Sequence, residues 1–305
     1  MAKLTDEQFC AYLAEAKAKL SAELPIAAEK KINYGYQYTV KLAEAKLTLN
    51  IYNGKKGLNI VYSGDSALAE RAAALLEGRK AQAAAPATFV TDGLWAGSDE
   101  SGKGDFFGSL VVAAVVVDNT TADKLRVAGV KDCKLLTDKK ILELEAIIKA
   151  SVVDYSVLEL KPRVYNLRYE QVAAQGGKLN QLLGYGHVAA LSKVLEKHED
   201  CHSALIDQFT TSMVNIRALK QRFPQCDVRQ QPKAESNLAV AAASVLARAQ
   251  FLHTMTALAA EAGVQELPKG GGAQATACAR ELAAKYGKEA LRNYVKLHFA
   301  NYQRV

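Results

Sequence analysis

Residues 110–117 read Leu-Val-Val-Ala-Ala-Val-Val-Val, eight apolar positions in a row with no polar residue among them. A strand with one face in water alternates apolar and polar side chains, so a strand of this composition must be covered on both faces. The segment predicts a central strand between two layers, which calls for helices on both sides of a sheet. The surrounding sequence supplies them. Further strands are predicted over 95–99, 152–160, 204–209 and 227–231, and helices over 138–150, 179–197, 212–222, 238–262 and 273–286. Strands first and interleaved helices after predict an α/β unit built on a mixed sheet, occupying residues 93–305.

The N-terminal 80 residues follow a different pattern. Thr5-Asp6-Glu7-Gln8 has capping-box form, and Phe9, Leu13, Ala16 and Leu20 recur at helical spacing. Period-2 segments follow. Tyr34, Tyr36, Tyr38, Val40 and Leu42 fall on one face, Leu47, Leu49 and Ile51 on another, and Leu58, Ile60 and Tyr62 continue beyond a turn at 53–57. An Ala-rich helix is predicted over 68–79. Residues 1–80 thus predict a small α+β domain, and 81–92, with little periodicity, a linker. Six of the 13 tyrosines lie in the N-terminal domain among lysines. Such rings either pack the sheet or grip nucleic acid.

Composition narrows the function classes. The formal net charge of +7 comes from 39 basic and 32 acidic residues, spread over both domains. That excludes a histone-like polycation and allows a nucleic-acid enzyme that keeps carboxylates in a basic setting. No uninterrupted apolar run exceeds the eight residues of 110–117, and the first residues lack the apolar stretch of a signal peptide, so no membrane association is expected. Five scattered cysteines without a Cys-x-x-Cys pair predict free thiols and a cytoplasmic, reducing setting.

The most informative segment is Gly97-Ser98-Asp99-Glu100-Ser101-Gly102-Lys103-Gly104-Asp105. Gly97-x4-Gly102-Lys103 nearly fits a nucleotide P-loop. However, Gly104 stands where Ser or Thr should hold Mg²⁺, two acids would repel phosphate, and a strand follows where a helix is needed. The alternative is a carboxylate pair at a strand end before a Gly-rich turn. Adjacent acids on a regular strand face opposite ways, so Asp99 and Glu100 share a site only if the strand ends or bends nearby. Asp207 puts a charge inside an apolar strand, where it needs a partner such as a metal. Glu235 precedes the small apolar run from Leu238, where it either caps that helix or joins the other acids. Carboxylate clusters bind hard divalent cations such as Mg²⁺ or Mn²⁺. His198-Glu199-Asp200-Cys201-His202 satisfies the zinc-protease pattern His-Glu-x-x-His, yet it straddles a predicted helix end and lacks the helix that pattern requires. His187 is read as a packed helix-face residue without chemistry.

The 97–105 segment closely resembles the signature of the ribonuclease HIII family. The resemblance continues through Val130–Lys140 (with Lys131, Cys133 and Lys134), Tyr165-Asn166, Leu179–Leu183, His187, Asp207, Pro232-Lys233-Ala234-Glu235-Ser236, Ala241–Arg248, Leu267–Gly270 and His298–Asn301. It covers essentially the whole chain. It implies a ribonuclease H-like catalytic domain behind a small N-terminal domain resembling the TATA-binding-protein fold, which binds substrate. It also implies two-metal-ion hydrolysis of the RNA strand of RNA/DNA hybrids, with Mg²⁺ or Mn²⁺ held by Asp99, Glu100, Asp207 and Glu235. The products carry 3′-hydroxyl and 5′-phosphate ends. The Glu at 235, where the related ribonuclease HII typically has Asp, favours HIII. Cys133 stands where the family usually has Ser. The turn Gly102-Lys103-Gly104 matches the family's contact to the ribose beside the cut; as residues alone, it is also an ordinary turn. Lys131, Lys134 and Lys233 are candidate phosphate contacts. A monomer without an obligate protein partner is expected. Incision at single ribonucleotides in duplex DNA and a non-catalytic nucleic-acid-binding module are the competing readings.

Overall fold

The computed structural model describes residues 4–43, 45–54, 57–77, 89, 91–210 and 212–305. The chain divides into two compact units, residues 1–88 and 89–305. Most of the predicted linker, and the tip of the turn at 53–57, lie outside the described residues.

In the first unit, α1 (Asp6–Ser21) opens as its sequence dictates: the Thr5 side chain accepts from the Gln8 amide, and the Gln8 side chain accepts from the Thr5 amide. Strands β1 (Ile26–Ile32), β2 (Gly35–Leu42), β3 (Ala45–Gly54) and β4 (Gly57–Gly64) form an antiparallel meander, followed by α2 (Ser66–Glu77). Alternation places Tyr38, Val40, Leu47, Leu49 and Ile51 against Ala16 and Leu20 of α1 and Leu68, Ala72 and Leu76 of α2. Gln37 and Asn50, opposite each other on β2 and β3, bond through their side chains. Two details depart from expectation. β1 has no pattern to read, because Ala27–Lys31 is exposed throughout. Tyr34 leaves the face of Tyr36 and Tyr38: it sits at the β1–β2 turn with φ +61° and is 82% exposed.

The second unit is a five-stranded sheet in the order β7-β6-β5-β8-β9. Strands β5 (Leu94–Ser101), β6 (Leu110–Val117) and β7 (Asp154–Leu160) pair antiparallel, while β8 (Cys201–Asp207) and β9 (Asp227–Gln231) continue parallel to β5. Every residue of β6 is buried, as its composition requires. Val111, Ala113, Val115 and Val117 face one core, shared with the long helix Leu238–Ala262, and Val112, Ala114 and Val116 face the other. Helices α3 (Asn119–Ala128) and α4 (Asp138–Ser151) follow β6; α5 (Pro162–Ala174) and α6 (Leu179–Leu195) follow β7; α7 (Val214–Arg222) follows β8; and α8 (Leu238–Ala262), α9 (Ala273–Tyr286) and the short α10 (Ala300–Gln303) complete the chain. Neither α3 nor α5 was anticipated, since α3 has few apolar residues and the apolar positions of α5 are interrupted by Asn166, Arg168, Glu170 and Gln171.

Asn237 caps α8, its side chain accepting from the Ala239 amide and from the Trp95 indole. The small residues let α8 lie directly on β5: a Cβ at Gly97 would meet the Val240 amide nitrogen at 2.2 Å. By length and composition α8 is the one helix among the described residues able to cross a membrane, but most of it is buried in this core. The His-Glu-x-x-His residues lie in the turn after α6 and at the start of β8, so the two histidines share no helix face. His198 instead lies 3.4 Å from Asp154.

Candidate active site

The parallel pairing of β5 with β8 stops at Ser98 and Ile206, while β5 continues to Ser101 against β6. Beyond that point the two strand ends border open space, and a cleft of about 560 Å³ lies there. Asp99, Glu100 and Asp207 line it, together with Gly102, Lys103, Gly104, Cys133 and Lys134. Crevices at the carboxyl ends of strands are where open α/β sheets place their ligands. The condition that β5 end near Glu100 is met one residue later, at Ser101.

Asp99 is 5% exposed and accepts a 2.7 Å bond from the Glu100 amide. Burial, followed by the charge of Glu100 and more weakly that of Asp207, pushes its carboxyl well above the usual range. Asp207, whose Oδ1 accepts from the Ala234 amide at 3.1 Å, is raised by burial and by Glu235 and Glu100. Glu100 behaves oppositely. Burial would raise it, but His187 and Lys103 outweigh that and hold it below the glutamate range. Glu235 lies in the 3-10 turn Ala234–Ser236, so the cap of α8 is Asn237 and not Glu235. Burial acts to raise it too; its own amide and Lys134, whose Nζ is 3.0 Å from Oε1, bring it lower. Asp99, Asp207 and Glu235 each feel the charge of Glu100, and Lys134 acts on the same three together.

The donor set is all oxygen, which suits Mg²⁺ or Mn²⁺ and not zinc. Among the described residues no three or more His, Cys, Asp or Glu side chains are grouped as a metal site. Asp99, Glu100 and Asp207 border an open cleft, which suits an ion that keeps several waters.

The predicted turn also faces the cleft. Gly102 has φ +87°, and a Cβ there would meet the Ser109 carbonyl oxygen at 2.1 Å, so only glycine fits. Gly104 faces open space. Lys103 reaches Glu100 at 3.6 Å and lies over the Phe209 ring. Of the three candidate phosphate lysines, only Lys134 lines the cleft; Lys131 and Lys233 are exposed outside it. The Cys133 amide donates to Ser244 Oγ, and burial pushes its thiol up to about 11.

His187, assigned no chemistry above, is fully buried on α6 and stacks on Phe209, with ring centroids 4.8 Å apart. Its Nε2 lies 3.1 Å from Glu100 Oε2. A histidine amid the small and apolar residues of α6 was the available signal, but its partner is 87 positions away. Arg248 and Asp138, which pair at 3.4 Å, also line the cleft.

A family model described as ribonuclease HII matches residues 96–302. The ribonuclease HIII of Chlamydia felis is 37% identical over 211 residues, 68% of each chain. That of Protochlamydia amoebophila is 37% identical over 203 residues, 67% of this chain and 65% of the relative, so the chain aligns with just under two thirds of that protein. Among solved structures, Bst-RNase HIII in complex with Mn²⁺ superposes with a TM-score of 0.64 at 28% identity, covering 94% of both chains.

Proposed function

The chain belongs to the ribonuclease HIII family, and on that premise we propose that it is an endoribonuclease hydrolysing the RNA strand of RNA/DNA hybrids to 3′-hydroxyl and 5′-phosphate ends. The observation that carries the reading is the meeting of Asp99, Glu100 and Asp207 with a glycine turn in one cleft, with Glu235 close enough for its charge to act on Asp207. Asp99, Glu100, Asp207 and Glu235 would hold Mg²⁺ or Mn²⁺, two ions during catalysis, whose bound charge supplies activation of water and stabilisation of the leaving oxygen.

The chain's own residues do the rest. The Ala234 amide aims Asp207 and His187 aims Glu100, so both carboxylates are set before substrate arrives. Lys134 offsets the repulsion among Asp99, Asp207 and Glu235. Gly102 and Gly104 expose backbone to a ribose, where a 2′-hydroxyl distinguishes RNA from DNA. Lys103 and Lys134 offer charge to phosphate at the cleft wall, and Lys131 and Lys233 do so outside it.

The N-terminal domain is assigned to hybrid binding: Lys30, Lys31 and Tyr34 are exposed together at the edge of its sheet, whereas Tyr38 serves its core. Five free cysteines support a cytoplasmic setting, with the chain acting as a monomer. The test is an end-labelled RNA/DNA hybrid beside a DNA duplex carrying one ribonucleotide, each with Mg²⁺, Mn²⁺ or chelator. Metal-dependent cleavage of the hybrid is expected. Cleavage of the second substrate alone would reassign the chain to ribonucleotide incision, and cleavage of neither to a binding module.

A further inference from the structure

Lys296 is fully buried and does not line the cleft. Its Nζ donates to three backbone carbonyls, those of Asp105 at 2.8 Å, Phe107 at 3.4 Å and Gly108 at 2.8 Å. The aliphatic stem ends over the face of Tyr165, with Nζ 5.5 Å from the ring centre. All three acceptors belong to the connection between β5 and β6, whose ladder ends at the pair Ser101 and Val111.

That connection has two parts. Gly102, Lys103 and Gly104 line the cleft. Residues 105–108 are bound to chain from the far end of the unit. Phe106 exchanges backbone bonds with Gly270 and Lys296, and the Gly108 amide donates to the Tyr294 carbonyl. The Gly270 amide donates to the Asp105 side chain, and Asn166 holds the Val295 carbonyl and the Leu297 amide. The Asp105 amide in turn donates to the Gly102 carbonyl, which joins the held part to the turn.

Three carbonyl oxygens converging on one point repel each other unless a donor with three hydrogens stands between them, and among side chains of this length only an ammonium supplies that. We propose that Lys296 is a positioning residue for substrate discrimination: by gathering the carbonyls of Asp105, Phe107 and Gly108 it holds the Gly102–Gly104 turn at the distance from which a ribose is read. The inference rests on the hybrid-cleaving function and on that turn as the ribose contact. Burial moves the Lys296 ammonium down to about 7, in keeping with a group enclosed on all sides.

The test uses the full chain with Lys296→Met, which keeps an unbranched chain one atom shorter and removes all three donors, and Lys296→Gln, equally shortened, which keeps two. Melting temperature is recorded first. Rates are then measured well below melting on an RNA/DNA hybrid and on the same hybrid with one 2′-O-methyl ribose 5′ to the preferred cut. The ratio of kcat/KM for the two substrates is expected to fall by roughly tenfold or more in Lys296→Met, with Lys296→Gln in between, as a turn displaced by a fraction of an ångström would give. A lowered melting temperature with an unchanged ratio would show a purely structural lysine and overturn the proposal. If wild type cuts neither hybrid, the functional reading itself fails and takes the inference with it; a wild type that cuts but variants that still discriminate sink the inference alone. Should neither variant fold, hydrogen exchange of wild type decides. Amides of Phe106 and Gly108 exchanging as slowly as those of β6 support the clamp, and fast exchange refutes it.

Discussion

Glu100 Oε2 lies 3.1 Å from His187 Nε2, at the end of a chain of contacts that starts on β6. The Ser98 hydroxyl donates to the Ala113 carbonyl at 2.8 Å, and its Oγ lies 2.8 Å from His187 Nδ1. A largely buried carboxylate, which otherwise has Lys103 at 3.6 Å, is thus partnered from a neighbouring helix, and its orientation is set by a chain of contacts running back to β6.

Replacing His187 by Leu removes that partner while keeping an apolar ring-sized filler. Glu100 then keeps only Lys103 against its burial, and its carboxyl moves up. The Mn²⁺ concentration giving half-maximal hybrid cleavage is expected to rise about 10- to 100-fold, the range seen when a group orienting a metal ligand is lost. Titrating Mn²⁺ against initial rate checks this; an unchanged midpoint would show that Glu100 needs no orientation.

Asp207→Asn keeps an oxygen for the Ala234 amide, so the turn carrying Glu235 stays in place. It removes a charge from the candidate metal site. Cleavage should be lost while hybrid binding, read by fluorescence anisotropy, is retained. Robust Mg²⁺-dependent cleavage by this variant contradicts the assignment of the site.

Lys134 is the cation that Asp99, Asp207 and Glu235 feel in common. In Lys134→Met the acids repel without an offset. The variant should melt below wild type in chelator, and added Mn²⁺ should raise its melting temperature more than that of wild type, because the ion then replaces the lost charge. Equal metal-induced shifts would mean Lys134 lies too far out to matter.

Residues 89–305 hold their own two-faced core, so removing residues 1–88 leaves the candidate site intact. Steady-state kinetics of the truncated chain should show a KM for hybrid raised far more than kcat is changed. An unchanged KM would remove the N-terminal domain from substrate binding.

Asp138 is raised by burial and lowered more by Lys269 and Arg248, leaving it below the aspartate value of 3.8. A depressed carboxyl contributes stability above its unfolded value and loses it as pH falls through the lower folded one. Asp138→Asn should cost less than about 1 kcal/mol near neutrality, because the pair is partly exposed. The gap between variant and wild type, measured by urea unfolding, should hold down to about pH 4 and close below it.

How much of this was legible in the chain depends on where the information sits. The apolar run of β6 determined by itself that a strand would be covered on both faces, and the bounds of α8 and α9 followed from helical spacing and terminal residues. Asp99, Glu100 and Asp207 stood out because charge in an apolar strand, or beside a glycine turn, demands an explanation within a few residues; Glu235 joined them only through the family resemblance. β1 and α3 were not, since an exposed edge strand and a short mixed helix have no apolar period; neighbours, not propensity, hold them. Only the tertiary structure decided that Glu100 answers to His187, that Lys134 enters the cleft while Lys131 and Lys233 do not, and that Lys296 gathers three carbonyls nearly 190 residues away. The physical reason is the same in each case. Burial makes a polar group need a partner and the local sequence reveals that need, but the partner is supplied by a distant segment whose position exists only once the sheet and its helices have packed.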